Sequence, residues 1–209
     1  MRLGWIRSSV PVGTPDIWPD RSRKDFGTHP SNNPAEEDEA LHHSGHTLFQ
    51  DSFFLCTVKN YGDDPGTGCI YVETVVDRDT GVFFAKVYPA KNAANGVDIL
   101  ASRVIPFFKN RGQTIKEIHT HKTREYCGLV PAHPFETFLA VSHIRHAGME
   151  RPGNPDNYPC RQVFRFLRKE FFPAAFRKTY QLPLGELQSE LDSFINAFNS
   201  TKKSSAPQN

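Results

Sequence analysis

Between Leu48 and Tyr88 lie three β-prone apolar runs, Leu48–Leu55, Cys69–Val76 and Val82–Tyr88. The loop Gly62-Asp63-Asp64-Pro65-Gly66 divides the first from the second, and Asp77-Arg78-Asp79-Thr80-Gly81 divides the second from the third. Runs of this kind around a glycine-containing turn fold as a hairpin, so the chain is committed early to a β-sheet. The first run carries one acid, Asp51. A carboxylate inside an apolar strand costs several kcal/mol unless it is paired or metal-bound, which marks Asp51 as a site residue. Asp77 and Asp79 read as turn residues.

Helical spacing takes over after the hairpin. Val97, Leu100, Val104 and Phe107/Phe108 mark an amphipathic helix from Ala93 to Phe108, with Gly112 just beyond. Ile115–His121 alternates as a strand, Pro134–Val141 reads as a short helix and Ile144–His146 as a short strand. A helix is expected from Cys160 to Phe172, with Pro159 near its start, and a last one from Leu184 to Phe198 with Leu187, Leu191, Ile195 and Phe198 on one stripe. The order β-β-β-α-β-α-β-α-α predicts an α/β domain with a mixed sheet.

With 209 residues and 38% hydrophobic content, one core is expected. Residues 1–46 hold repeated Pro, Gly, Ser and Asn, the acidic run Glu36–Glu39, and His42, His43 and His46, read as solvated; this segment is expected to be poorly ordered. The core is expected over 47–199, and 200–209 reads as a disordered polar tail. No stretch reaches the roughly 18 apolar residues of a membrane span, so a cytoplasmic protein without membrane contact is expected. Cys56, Cys69, Cys127 and Cys160 form no CxxC pair and read as reduced thiols. Residues 1–100 hold 9 basic and 14 acidic side chains, and 101–209 hold 16 and 9. The basic second half suits a polyanion, because Lys and Arg gain affinity by releasing phosphate counterions.

Several local strings, in order, resemble the catalytic core of DDE transposases and retroviral-type integrases of the insertion-sequence class. They are Gln50-Asp51-Ser52-Phe53-Phe54, Tyr71–Asp77 with Phe84–Tyr88, Arg124-Glu125-Tyr126-Cys127-Gly128 with His133-Pro134-Phe135-Glu136, Glu170-Phe171-Phe172 with Ala175–Lys178, and Leu187–Asp192 ahead of Phe198-Asn199. The resemblance implies a ribonuclease-H-like fold, a mixed five-stranded sheet flanked by helices, and a role in DNA integration and transposition. It also implies DNA as partner and a homo-oligomer.

Such enzymes hold two Mg²⁺ or Mn²⁺ ions about 3.5–4 Å apart on three carboxylates, and the ions stabilise the attacking and leaving oxygens of in-line displacement at phosphorus. Carried onto this chain, the three positions fall on Asp51, His121 and Arg161. Only Asp51 is acidic and remains as a metal ligand. Imidazole is a poor Mg²⁺ ligand and Arg is a permanent cation, so DNA strand cleavage and transfer are expected to be impaired. Glu125 and Glu170 are the nearest acids; Glu170 lies about 2.5 turns beyond Arg161 and faces largely away. The loop before Arg161 also departs from the family, reading Asn154–Tyr158.

Arg165, Arg168 and Lys169 share a helix with Arg161 and are candidate DNA contacts. His119 and His121, two apart on a strand, share a face and with Asp51 offer an alternative zinc or manganese site. A non-catalytic DNA-binding or dimerisation module on the same fold is the alternative function.

Overall fold

The computed structural model describes residues 45–59, 67–128, 132–149, 158–178 and 183–203. The segment before Gly45, the Gly62–Gly66 loop, residues 154–157 and the end of the tail lie outside them. β1 (Thr47–Lys59), β2 (Thr67–Asp77), β3 (Phe83–Tyr88), β4 (Glu117–His121) and β5 (Arg145–Met149) form one sheet in the order β3-β2-β1-β4-β5. The first three strands pair antiparallel; β4 runs parallel to both β1 and β5. Local hairpin connectivity accounts for the antiparallel half, and the helical crossovers into β4 and β5 account for the parallel half. Asp77 anchors the β2–β3 turn: it is fully buried and accepts from the Gly45 N–H at 3.1 Å and the Thr80 hydroxyl at 2.5 Å.

Alternation along the strands divides the core in two. Phe53, Ile70, Val72, Phe83, Ala85 and Val87 face one side, covered by α4 (Pro159–Phe166), α5 (Phe172–Lys178) and α6 (Leu184–Lys203). Leu48, Val75, Phe84 and Ile118 face the other, under α1 (Ala93–Ile99), α2 (Ile105–Lys109) and α3 (Pro134–Val141). Phe53 stacks on Phe164 of α4 with ring centroids 4.6 Å apart and planes within 9°. Burying such a ring is worth roughly 1.5–3 kcal/mol, and the stacked pair adds about 0.5–1.5 kcal/mol.

Two expected helices are each interrupted by a wider turn. A π-helical turn, Leu100–Val104, separates α1 from α2, and the Ile105 N–H bonds Leu100 O. A second, Leu167–Phe171, separates α4 from α5, and the Phe172 N–H bonds Leu167 O. In both cases the next residue is proline, Pro106 and Pro173. Proline lacks the N–H of the helical ladder and its ring crowds the carbonyl four residues back; widening the preceding turn relieves that clash without ending the helix. At the other end of the fold, α6 continues past the expected Phe198 to Lys203. Nothing between them is Gly or Pro, and buried Asn199 fastens the last turns to β3, accepting from the Phe83 N–H at 3.3 Å and donating to Phe83 O at 2.8 Å.

Candidate functional site

Asp51 lies in β1 beside the C-terminal end of β4, where the parallel register pairs Gln50 with Thr120 and so brings the next residues, Asp51 and His121, side by side. His121 Nε2 is 3.8 Å from Asp51 Oδ2. Asp51 Oδ1 accepts from the Ser52 N–H at 2.8 Å. Asp51 is only 8% exposed, and burial pushes its carboxyl up to about 6 against the lowering pull of that N–H, Lys91 and Arg161.

Tyr158 seats the first turn of α4 over this spot. Its hydroxyl donates to Gln50 O at 3.1 Å, and its ring lies 4.6 Å from that of His121 and 5.9 Å from Phe49. Arg161 follows within that turn. Its guanidinium lies 5.7 Å from the centre of the Phe53 ring and close enough to Asp51 for its charge to be felt there. The three positions carried over from the sequence therefore come together.

Two residues that sequence reading did not single out complete the surroundings. Lys91, between β3 and α1, places Nζ 2.6 Å from Oε1 of buried Glu125 and 3.5 Å from Ser52 O. Glu125 thus reaches the site from the turn after β4, but with its charge already matched by an ammonium. On the opposite face, Glu73 accepts from Gln50 Nε2 at 2.7 Å and the Tyr126 hydroxyl at 2.5 Å, while Gln50 also donates to Gly96 O at 3.0 Å. A Cβ on Gly96 would lie 3.2 Å from both the Phe135 and Tyr126 rings, so the glycine admits this close packing. Burial pushes Glu73 up to about 7. An acid within the apolar run Cys69–Val76 was the available signal for Glu73; Lys91 offered none.

Glu170 pairs with Lys169 at 3.3 Å. His119 shares a face with His121, but its Nε2 is 2.9 Å from Glu117 Oε1, and burial holds its pKa below the usual value. Arg161, Arg165, Arg168 and Lys169 are all exposed. The guanidinium of Arg168 lies 5.9 Å from the centre of the Phe164 ring. The four cysteines are free thiols.

The donor set does not fit a pair of Mg²⁺ or Mn²⁺ ions. Each needs several hard oxygens, and beside the Ser52-bonded carboxylate of Asp51 stand an imidazole, a Lys-paired glutamate and a guanidinium.

A five-stranded mixed sheet in the order β3-β2-β1-β4-β5, antiparallel in its first half and flanked by helices on both faces, is the ribonuclease-H-like arrangement. A chain of the simian T-cell lymphotropic virus intasome, solved by cryo-electron microscopy in complex with the PP2A regulatory subunit B56 gamma, matches it with a TM-score of 0.50. The fold is that of a retroviral-type integrase catalytic core. Identity to the intasome chain is 16%, over 75% of this chain and 48% of that one, so the match spans about half the length of that chain. The HTLV-2 integrase catalytic core domain in complex with magnesium and the BIV integrase catalytic core domain are similar at TM-scores of 0.46, with 16% and 15% identity. Those matches cover 75% and 73% of this chain and 84% and 82% of theirs. No protein-family model and no curated protein matches the sequence. Among the described residues no helix is long and apolar enough to cross a membrane.

Proposed function

We propose that this chain is an integrase-type core of transposase descent that holds DNA without cutting it. The observation that carries this reading is the setting of Asp51: one buried carboxylate flanked by His121, by Arg161 and by the Lys91–Glu125 pair. The Arg161 guanidinium stands in the surroundings in which the family implies divalent metal, so a phosphate of the DNA backbone can be met by a fixed cation there while hydrolysis lacks its activating ions. In this reading Arg161, Arg165, Arg168 and Lys169 form the DNA-facing side of α4 and its continuation. Phosphate contacts of this kind position a duplex and carry no sequence information.

Fluorescence anisotropy with a labelled duplex across a salt series tests the proposal. Binding should weaken steeply with salt, as counterion release requires, and the labelled strand should remain intact in Mg²⁺ or Mn²⁺. Salt-insensitive binding, or none at low salt, would remove DNA as the partner. Self-association, which the family resemblance also implies, would be read in the same experiment from the binding stoichiometry.

A further inference from the structure

Thr120 and His121 point to opposite faces of β4, and the Thr120 side, turned away from Asp51, gathers a second set of donors. Cys127 from the turn after β4, Glu136 from the first turn of α3 and His146 from β5 bring a thiol sulphur, a carboxylate oxygen and a ring nitrogen within 4.8 Å of one another. The ring of His146 packs against Phe135 at 5.3 Å between centroids, and its Nε2 lies 2.8 Å from Thr120 Oγ1. With the Nε2–H donating to that hydroxyl, the lone pair sits on Nδ1, the atom 3.8 Å from Glu136 Oε1. A hydrogen bond at the far ring nitrogen is the means by which metal-ligating histidines are oriented.

We propose that Cys127, Glu136 and His146 bind one Zn²⁺ ion, at a site separate from the Asp51 pocket. Thiolate and imidazole select zinc over the hard cations Mg²⁺ and Ca²⁺. Tetrahedral zinc with bonds of about 2.0–2.3 Å holds its ligand atoms roughly 3.5 Å apart, so the cluster must contract by about 1 Å. The Glu136 side chain is 44% exposed, and its free rotamers allow that movement. Three protein ligands leave the fourth position to solvent. The ion would tie the turn that carries Glu125 to α3 and β5, adding to the His133 Nε2–Arg124 O contact of 3.0 Å that already links that turn to the start of α3.

The full chain, stripped with a chelator and reloaded with Zn²⁺ or with Co²⁺ as a spectroscopic probe, tests the site. Expected are one equivalent of zinc per chain and a thiolate-to-cobalt charge-transfer band that Cys127→Ser abolishes. Glu136→Gln, at an exposed position where folding is not at risk, should weaken zinc binding at least ten-fold with an unchanged circular dichroism spectrum. Asp51→Asn and His121→Gln should leave both readouts as in the parent chain. Absence of stoichiometric zinc, or zinc lost in Asp51→Asn or His121→Gln but kept in Cys127→Ser and Glu136→Gln, would overturn the proposal.

Discussion

His121 Nε2 stands 3.8 Å from Asp51 Oδ2, across two neighbouring parallel strands. On the proposed reading a second carboxylate would belong at that position, and two carboxylates so close would repel unless a cation lay between them. An imidazole removes that repulsion and with it the local demand for a cation. Arg161 from α4 and the ammonium of Lys91 act in the same direction, both favouring the ionised form of Asp51.

Asp51 is raised from its ordinary value to about 6, and Glu73 to about 7, both chiefly by burial. A carboxyl whose pKa is higher in the folded state contributes stability that is full below its unfolded value and is lost as pH rises through its folded value. Stability should therefore fall between about pH 4 and 7, by roughly 2–3 kcal/mol for each group. Asp51→Asn should remove the portion lost up to about pH 6. Urea unfolding at pH 5 and pH 8 checks this; an Asn variant with the full parental pH dependence would refute it.

Glu73 accepts two hydrogen bonds on one oxygen, from Gln50 and Tyr126. Glu73→Gln keeps a carbonyl acceptor and removes the buried charge, so it should be neutral or stabilising above pH 7. Glu73→Ala strands both donors and should cost about 2–4 kcal/mol. Thermal unfolding of the two variants separates these outcomes.

Lys91→Ala leaves the buried carboxylate of Glu125 without its ammonium. A loss of about 1–3 kcal/mol is expected, below the range for a fully buried pair because the Lys91 side chain is 32% exposed. The double variant Lys91→Ala/Glu125→Gln should recover most of it. Equal destabilisation in the single and double variants would show that the charge is not what Lys91 balances.

The order of strands and helices was legible because the hairpin runs Cys69–Val76 and Val82–Tyr88 and the stripe Leu187, Leu191, Ile195 follow their own periods. The interruptions at Leu100–Val104 and Leu167–Phe171 were not read, although Pro106 lay inside the first expected helix; Pro173 stood one residue beyond the expected end at Phe172, and the continuation to Lys178 was missed with it. Asp51 was legible as an acid in an apolar strand, whereas its grouping with His121 and Arg161 was only what the family resemblance implied. Lys91 was not, since it lies between elements where polar residues are unremarkable. Cys127, Glu136 and His146 meet only because a turn, a helix start and a strand converge, and their spacing in sequence follows no ligand pattern.

Arg165, Arg168 and Lys169 project from one exposed stretch of helix. If they contact phosphates, replacing each by Ala should weaken duplex binding similarly for all sequences. Each replacement should also lower the slope of log affinity against log salt by about 1. Anisotropy titrations at several salt concentrations read both quantities, and an unchanged slope in the triple variant would place the DNA elsewhere.

The central claim is that the surroundings of Asp51 do not support metal-dependent cleavage. Nicking of supercoiled plasmid in Mg²⁺ or Mn²⁺ by the parent chain, beside Asp51→Ala and the variant His121→Asp/Arg161→Glu, tests it most directly. The account predicts intact plasmid with the parent chain and with Asp51→Ala, and metal-dependent nicking only where the two acids are restored. Nicking by the parent chain that Asp51→Ala abolishes would contradict it.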